Sequence, residues 1–364
     1  MKKRGIVKKI LLGILLILFV FLLGLFVFHY CKKAADRKFL EEKGYLHLVQ
    51  TGDHALNVVR FGKENAARRI VVLSGMGGGF QVEMRKMTAE LEQKYELIYA
   101  ARAGWDGSDD VKTERTVESI VEDYRDALRS AGVPAPYTLM AHSMGGAYAS
   151  YWVSKYPDEI EAFADIDGTY VEPTGTTEAP AAKRFFPIQA VVRLGIGDLL
   201  LAFTQKDPFY TAEEQRAANA MMLQSFSAAA VHNEGEFVDR NLNTIWNALV
   251  QTDVPKLYIS ARDGYTTEEE IENGPGLNAY QMEYYTKDYT GDEAGRTAAA
   301  YANFLAECEE NRTEKLIPYL EKMGKCRIEY LPGDHFIHKT EPEKCGKIIQ
   351  AFLEEQEEND ERTE

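Results

Sequence analysis

Short apolar runs alternating with helix-patterned segments constrain this chain more than any other feature of its sequence. Arg69–Gly75 (RIVVLSG), Tyr95–Ala101 (YELIYAA), Pro136–Ala141 (PYTLMA) and Ile160–Asp167 (IEAFADID) read as buried strands, being short, apolar and closed by turn residues. Between them, Val82–Gln93, Thr116–Gly132 and Gly145–Pro157 carry helical periodicity. In the second, Val117, Ile120, Val121, Tyr124 and Leu128 share one face, and Gly132 supplies a C-cap. Strand, helix, strand at this spacing predicts an α/β fold, with a mostly parallel central sheet and helices on both faces. The pattern lapses from about 168 to 252, where the segments are helical and apolar, with Phe185, Phe186, Ile188, Leu199, Leu200, Leu201, Phe203, Met221 and Met222 among them. Val254–Ala261 and Cys326–Gly333 resume the sheet. The expectation is a helical cap inserted at 168–252, a second insertion at about 264–297, and a body running from 39 to 355.

The first 38 residues differ from the rest. Ile10–Phe28 is a run of 19 residues without a polar side chain, flanked by Lys2, Lys3, Arg4, Lys8 and Lys9 before it and by Lys32, Lys33, Arg37 and Lys38 after it. As a helix it is about 28 Å long, close to the hydrocarbon thickness of a bilayer. The reading is a single transmembrane anchor over 1–38 that leaves the body outside the cytoplasm. A cleaved signal peptide is the alternative, with Ala34-Ala35 as a cleavage site, although its apolar region would be unusually long. Beyond residue 38 the chain carries 33 basic and 56 acidic residues. A body this acidic repels phosphate backbones, so nucleic acid is not an expected partner. The tail at 356–364 (EENDERTE preceded by Gln356) is too charged to pack and is expected to be unstructured. Cys31, Cys308, Cys326 and Cys345 form no CxxC pair. Cys326 and Cys345 could bridge in an oxidising compartment, and free buried thiols are the plainer reading.

Ser143 lies in LMAHSMGGAY, between a strand and a helix, with Ala141 two residues before it and Gly145 and Gly146 after it. Small residues at those positions permit a sharp strand-to-helix turn that lifts a hydroxyl above the C-terminal edge of the sheet. The same turn puts the Met144 N–H at a helix N-terminus, where it can donate to developing negative charge. A serine N-cap is the simpler explanation, but a cap requires neither Ala141 nor the two glycines.

These residues resemble the nucleophile elbow of the α/β-hydrolase superfamily, in its branch of capped esterases, lipases and peptidases, with Ala141 in place of the first glycine. Leu73–Phe80 (LSGMGGGF) is similar to that family's loop after an early strand, with Ser74 in place of histidine. ARAGWDGSDD is similar to its R-P-G-x-G-x-S stretch, with Ala103 for proline and Asp106 for glycine. The resemblance runs from about Tyr45 to Phe352. It implies an α/β-hydrolase fold in which Ser143 is the nucleophile, His335 in YLPGDHFIHK the general base and Asp263 in SARDGY the acid. The acid has an alternative in Asp167, and Asp263 could also be an ordinary turn residue. It further implies an oxyanion hole made by the backbone N–H groups of Met76 and Met144. His142 reads as scaffold, and His338 as packed or exposed on the opening turn of a helix. His335 and His338 have no third partner with which to hold a metal, so neither a metal nor an organic cofactor is expected.

The function expected is therefore hydrolysis of a small-molecule acyl ester at the cell membrane through an acyl-enzyme. A peptidase or amidase of the same fold is the alternative, as is a silent membrane-displayed binding domain. Oligomeric state is not legible.

Overall fold

The computed structural model describes residues 2–179, 187–204 and 206–362. Phe185 and Phe186 therefore lie outside the described residues, as do Thr363 and Glu364. The chain opens with α1 (Lys2–Glu42), a single continuous helix that runs past the apolar segment and past residue 38. An antiparallel pair, β1 (Leu48–Thr51) and β2 (His54–Gly62), follows. The body then alternates as β3 (Arg69–Leu73), α2 (Phe80–Thr88), β4 (Glu96–Ala100), α3 (Val117–Ser130), β5 (Tyr137–His142), α4 (Met144–Lys155) and β6 (Ile160–Ile166).

Among the described residues of the expected cap are four helices: α5 (Pro187–Arg193), α6 (Ile196–Ala202), α7 (Ala212–Phe226) and α8 (Ala229–Ala248). After β7 (Lys256–Ser260) come α9 (Glu268–Asn273), α10 (Ala279–Tyr285) and α11 (Glu293–Glu310). A π-helical stretch, Asn311–Leu316, joins α11 to α12 (Ile317–Met323). The chain closes with β8 (Arg327–Tyr330), α13 (Ile337–Thr340) and α14 (Pro342–Glu361).

The sheet has eight strands in the order β1-β2-β4-β3-β5-β6-β7-β8. β2 pairs antiparallel with both β1 and β4, and every pairing from β4 to β8 is parallel. Successive side chains of a strand face opposite helix layers. Ile70 and Val72 enter the core with α2 and α14, while Val71 and Leu73 enter the one with α3, α4 and α8. Both layers are apolar, which is why these strands read as continuous runs rather than as alternating ones.

The chain turns left from β3 to reach β4 and right to reach β5, so the sheet reverses its winding beside β3. Open α/β sheets form a crevice at such a point, beyond the carboxyl ends of the strands. In register, Leu73 pairs with Ala141, His142 with Ile166, and Ile166 with Ile259. The segments leaving β3, β5, β6 and β7 therefore emerge on one edge.

One expectation changes. Residues 356–361 are not a loose tail but the last turns of α14, and Lys94 Nζ lies 2.7 Å from a Glu357 carboxylate oxygen. The second insertion carries α9 and α10, and Tyr265, Ile271, Phe304 and Cys308 form a small core around α9, α10 and α11. All four cysteines are free, which agrees with the plainer reading of Cys326 and Cys345.

Candidate active site

Ser143 leaves β5 with φ 54° and ψ −130°, a conformation that L-residues rarely adopt. Strain of this kind persists only where the surroundings enforce it. Here they do. A Cβ on Gly145 would lie 2.6 Å from the Leu73 carbonyl oxygen and 2.7 Å from that of Ser74, so only glycine lets α4 start so close to β3. A Cβ on Gly146 would collide with the Asp165 carboxylate. The Ser143 carbonyl accepts from Gly146 N–H at 2.9 Å and from Thr169 N–H at 3.0 Å, which ties the turn to the segment after β6.

His335 Nε2 is 2.9 Å from Ser143 Oγ, and its Nδ1 is 2.7 Å from Asp167 Oδ2. Asp167 also has a positive φ of 44°. Its other oxygen accepts the backbone N–H groups of Ala261, at 2.8 Å, and Arg262, at 3.2 Å. The carboxylate is thus oriented from both sides.

Asp263, the acid expected from the sequence, does not meet His335. Its carboxylate accepts from Tyr170, from Asn311 Nδ2 at 3.2 Å and from Arg262 at 3.4 Å, and Arg312 Nη1 donates to its carbonyl oxygen at 2.6 Å. Asn311 and Arg312 belong to the π-helical stretch, so the chain returning from the insertion supplies partners that occupy Asp263. The tyrosine is affected in turn: burial and the neighbouring carboxylate push the Tyr170 hydroxyl far above its ordinary pKa.

His142 is buried, and its Nε2 lies 2.8 Å from the His335 carbonyl oxygen. His338 is fully buried, with ring centroids 4.4 Å from His142. Burial pushes His142 well below the usual imidazole range, and it pushes His338 down to about 3. Both are therefore neutral supports at neutral pH.

The loop after β3 lies against the serine: a Cβ on Gly75 would be 2.7 Å from Ser143 Cβ. Arg102, from the segment after β4, grips this loop. Its Nη1 donates to Ser74 O at 2.6 Å and its Nη2 to Gly75 O at 2.8 Å. The Gly75 carbonyl shares a trans peptide with the Met76 N–H, so that N–H points away from Arg102. Asp106, with φ 46°, accepts from Gly79 N–H at 2.6 Å at the other end of the loop. Burial lifts the Asp106 carboxyl to about 6, against the pull of the Gly79 and Phe80 N–H groups.

The guanidinium is fixed from the cap. Glu234 of α8 lies 2.9 Å from Arg102 Nε, and both side chains have no exposed surface. Trp105 Nε1 and Tyr148 Oη donate to the same carboxylate at 2.8 and 3.0 Å. Glycines bring cap and loop together: a Cβ on Gly78 would be 2.7 Å from Met222 Cα, and one on Gly79 would be 3.0 Å from Ala218 Cα, both in α7. Sequence reasoning singled out Arg102 only within the stretch similar to R-P-G-x-G-x-S and missed Glu234. Nothing local distinguishes that glutamate from a solvated one.

The model of the alpha/beta hydrolase family matches residues 70–345. The chain belongs to the α/β-hydrolase family. It is 26% identical over 163 residues to the uncharacterised YbdG of Bacillus subtilis (strain 168), a match covering 44% of this chain and 49% of YbdG. The chain thus spans about half the length of that curated relative. Among solved structures, a membrane phospholipase A described as a bacterial virulence factor superposes with a TM-score of 0.54 at 18% identity. That alignment covers 96% of this chain and 99% of the other. An enol-lactonase from Burkholderia xenovorans LB400 gives 0.51 at 16%, covering 84% and 99%. The haloalkane dehalogenase DatA of Agrobacterium tumefaciens C58 gives 0.53 at 16%, covering 85% and 96%. At these identities the likeness is one of fold.

Proposed function

We propose that this α/β-hydrolase is a serine esterase in which Ser143 is the nucleophile, His335 the general base and Asp167 the acid. One observation carries the reading: a single imidazole bridges Ser143 Oγ and the Asp167 carboxylate. With Asp167 accepting from Nδ1–H, Nε2 is left with a lone pair facing the hydroxyl. As Oγ attacks the acyl carbon, its proton passes to Nε2 and the carbonyl oxygen becomes an anion. The N–H groups of Met76 and Met144 are the proposed donors to that anion, the first aimed by Arg102 and the second by the start of α4. Collapse expels the alcohol, which takes the proton from His335. Water then gives a proton to the same nitrogen, attacks the acyl-enzyme, and releases the acid as Ser143 recovers its proton.

An ester is preferred to an amide because the cap segment is rich in apolar residues, Met221 and Met222 among them, and because the fold's neighbours include a membrane phospholipase A. The N-terminal helix is long and apolar enough to cross a membrane, and we read it as an anchor that leaves the hydrolase outside the cytoplasm. Labelling with a fluorophosphonate tests the nucleophile: the wild type is modified at Ser143 and Ser143→Ala is not. A folded protein that resists the probe would instead be a silent binding domain. Comparing p-nitrophenyl esters of increasing chain length with aminoacyl anilides tests the substrate class, and faster anilide cleavage would reassign the enzyme as an amidase. Protection of the body from added protease in intact cells would reverse the topology.

A further inference from the structure

We infer that the outer apolar face of α6, in the cap, sits in the headgroup–acyl boundary of the membrane that α1 enters. This rests on the reading of α1 as an anchor. Within α1, the residues less exposed than the rest are Leu22, Leu25, His29, Lys32, Asp36, Phe39 and Leu40. Steps of three or four connect them and trace one helix face that continues from the apolar run into the polar extension. The cap covers that face. His29 Nδ1 lies 2.6 Å from an Asp198 carboxylate oxygen in α6, Lys32 Nζ is 3.4 Å from the other oxygen of Asp198, and Arg216 of α7 is 3.2 Å from Asp36.

Contact also reaches the apolar part of the helix. Gly195, the N-cap of α6, packs against the Leu25 carbonyl so closely that a Cβ there would collide with it. Leu25 is three residues inside the end of the run at Phe28, about 4.5 Å along the axis. An element touching Leu25 is therefore at the depth where hydrocarbon ends.

At that depth α6 turns apolar side chains outward. Leu199 is 39% exposed, Leu200 59% and Phe203, just past its end, 82%. Facing water they would be a costly patch beside the anchor; at a bilayer surface they insert, as the apolar faces of interfacial helices do. The rim is suited to anionic headgroups: Lys33 and Arg37 on α1 and Arg193 ahead of α6 are all exposed. Tyr30, exposed just beyond the run, is a residue type that favours this boundary. The cap, whose α7 packs on Gly78 and Gly79, is thus held against the lipid surface by two attachments, α1 and α6.

The test is tryptophan quenching by brominated lipid. The full chain is reconstituted in vesicles of phosphatidylcholine and phosphatidylglycerol, with bromine on acyl carbons near the headgroup. Leu15→Trp reports the anchor, Phe203→Trp the α6 face, and Tyr330→Trp, on the far edge strand β8, the body; wild type supplies the background of the native tryptophans. The expected result is loss of emission from Leu15→Trp and Phe203→Trp but not from Tyr330→Trp. If Leu15→Trp is quenched while Phe203→Trp behaves like Tyr330→Trp, the anchor stands and the α6 inference is overturned. A blue-shifted but unquenched Phe203→Trp also overturns it, and assigns the face to a second copy of the chain. No quenching at position 15 overturns both. Ser143 labelling of Leu200→Asp in detergent is expected to match wild type, which separates this inference from the hydrolase reading.

Discussion

Asp167 and Asp263 each leave the carboxyl end of a strand, β6 and β7, and those strands are neighbours in the sheet. Either position suits a carboxylate serving a histidine, so chain order alone cannot choose between them. Partners chose. Asp263 is taken by Tyr170 and Asn311, while Asp167 bends through a positive φ to meet His335. Asp167→Asn is expected to lower kcat by about 10⁴-fold, because the amide no longer accepts the Nδ1 proton and holds the wrong tautomer. Asp263→Asn should keep most of its activity. Steady-state rates on a p-nitrophenyl ester check both, and the reverse ranking would restore Asp263. The Arg102–Glu234 pair makes a second residue-scale prediction. Glu234→Gln leaves a guanidinium buried without its counter-charge and is expected to cost about 3–5 kcal/mol of stability, read by urea unfolding. Because Arg102 also holds the Ser74 and Gly75 carbonyls, kcat should fall more than KM rises.

At the scale of elements, the strands read from the sequence appear where expected, because a β-branched run buried between two helix layers has no competing solution. The antiparallel β1–β2 pair was not foreseen: its strands are mixed in polarity, and Asn57 is buried by accepting from His47 N–H and donating to Asp106 O. The elbow was legible because its constraint is steric and local. Gly145→Ala forces a methyl against the Leu73 and Ser74 carbonyl oxygens, which are backbone and cannot turn aside. It is expected to cost about 1–3 kcal/mol and to slow fluorophosphonate labelling of Ser143 as α4 is pushed off β3. A variant with unchanged midpoint and labelling rate would show that the turn tolerates bulk. The cap illustrates the opposite case. Its helices were readable, but their seat was not, since it is built from contacts far apart in sequence, among them Gly78 and Gly79 touching α7 and the Arg102–Glu234 ion pair to α8.

Across the whole molecule, the histidines behind the site tie stability to pH. His338 is held down to about 3, mainly by burial, with His335 and Lys339 adding to the effect and Asp167 opposing it; Glu83 lies 3.7 Å away. An unfolded histidine takes up its proton near 6.5, so between about 6.5 and 3 the unfolded chain binds a proton that the folded chain refuses. The stability this group contributes is complete above 6.5 and is lost as the pH falls through that window. Relative to His338→Leu, wild type should lose about 1.4 kcal/mol per pH unit on acidification below 6.5, measured by urea unfolding of the detergent-solubilised chain. Parallel pH profiles for the two proteins would mean that His338 is protonated in the fold.

What the sequence determined by itself were properties set by near neighbours along the chain: the apolar helix at Ile10–Phe28, the strand–helix alternation, the tight turn at Ser143, and a histidine placed beyond the last strand. Each follows from periodicity or sterics within a few residues. The partner of that histidine, the grip of Arg102 on the Ser74–Gly75 loop, and the docking of α1 beneath the cap were decided by the tertiary structure. They depend on which polar groups, separated by tens to nearly two hundred residues, are buried together and must satisfy one another.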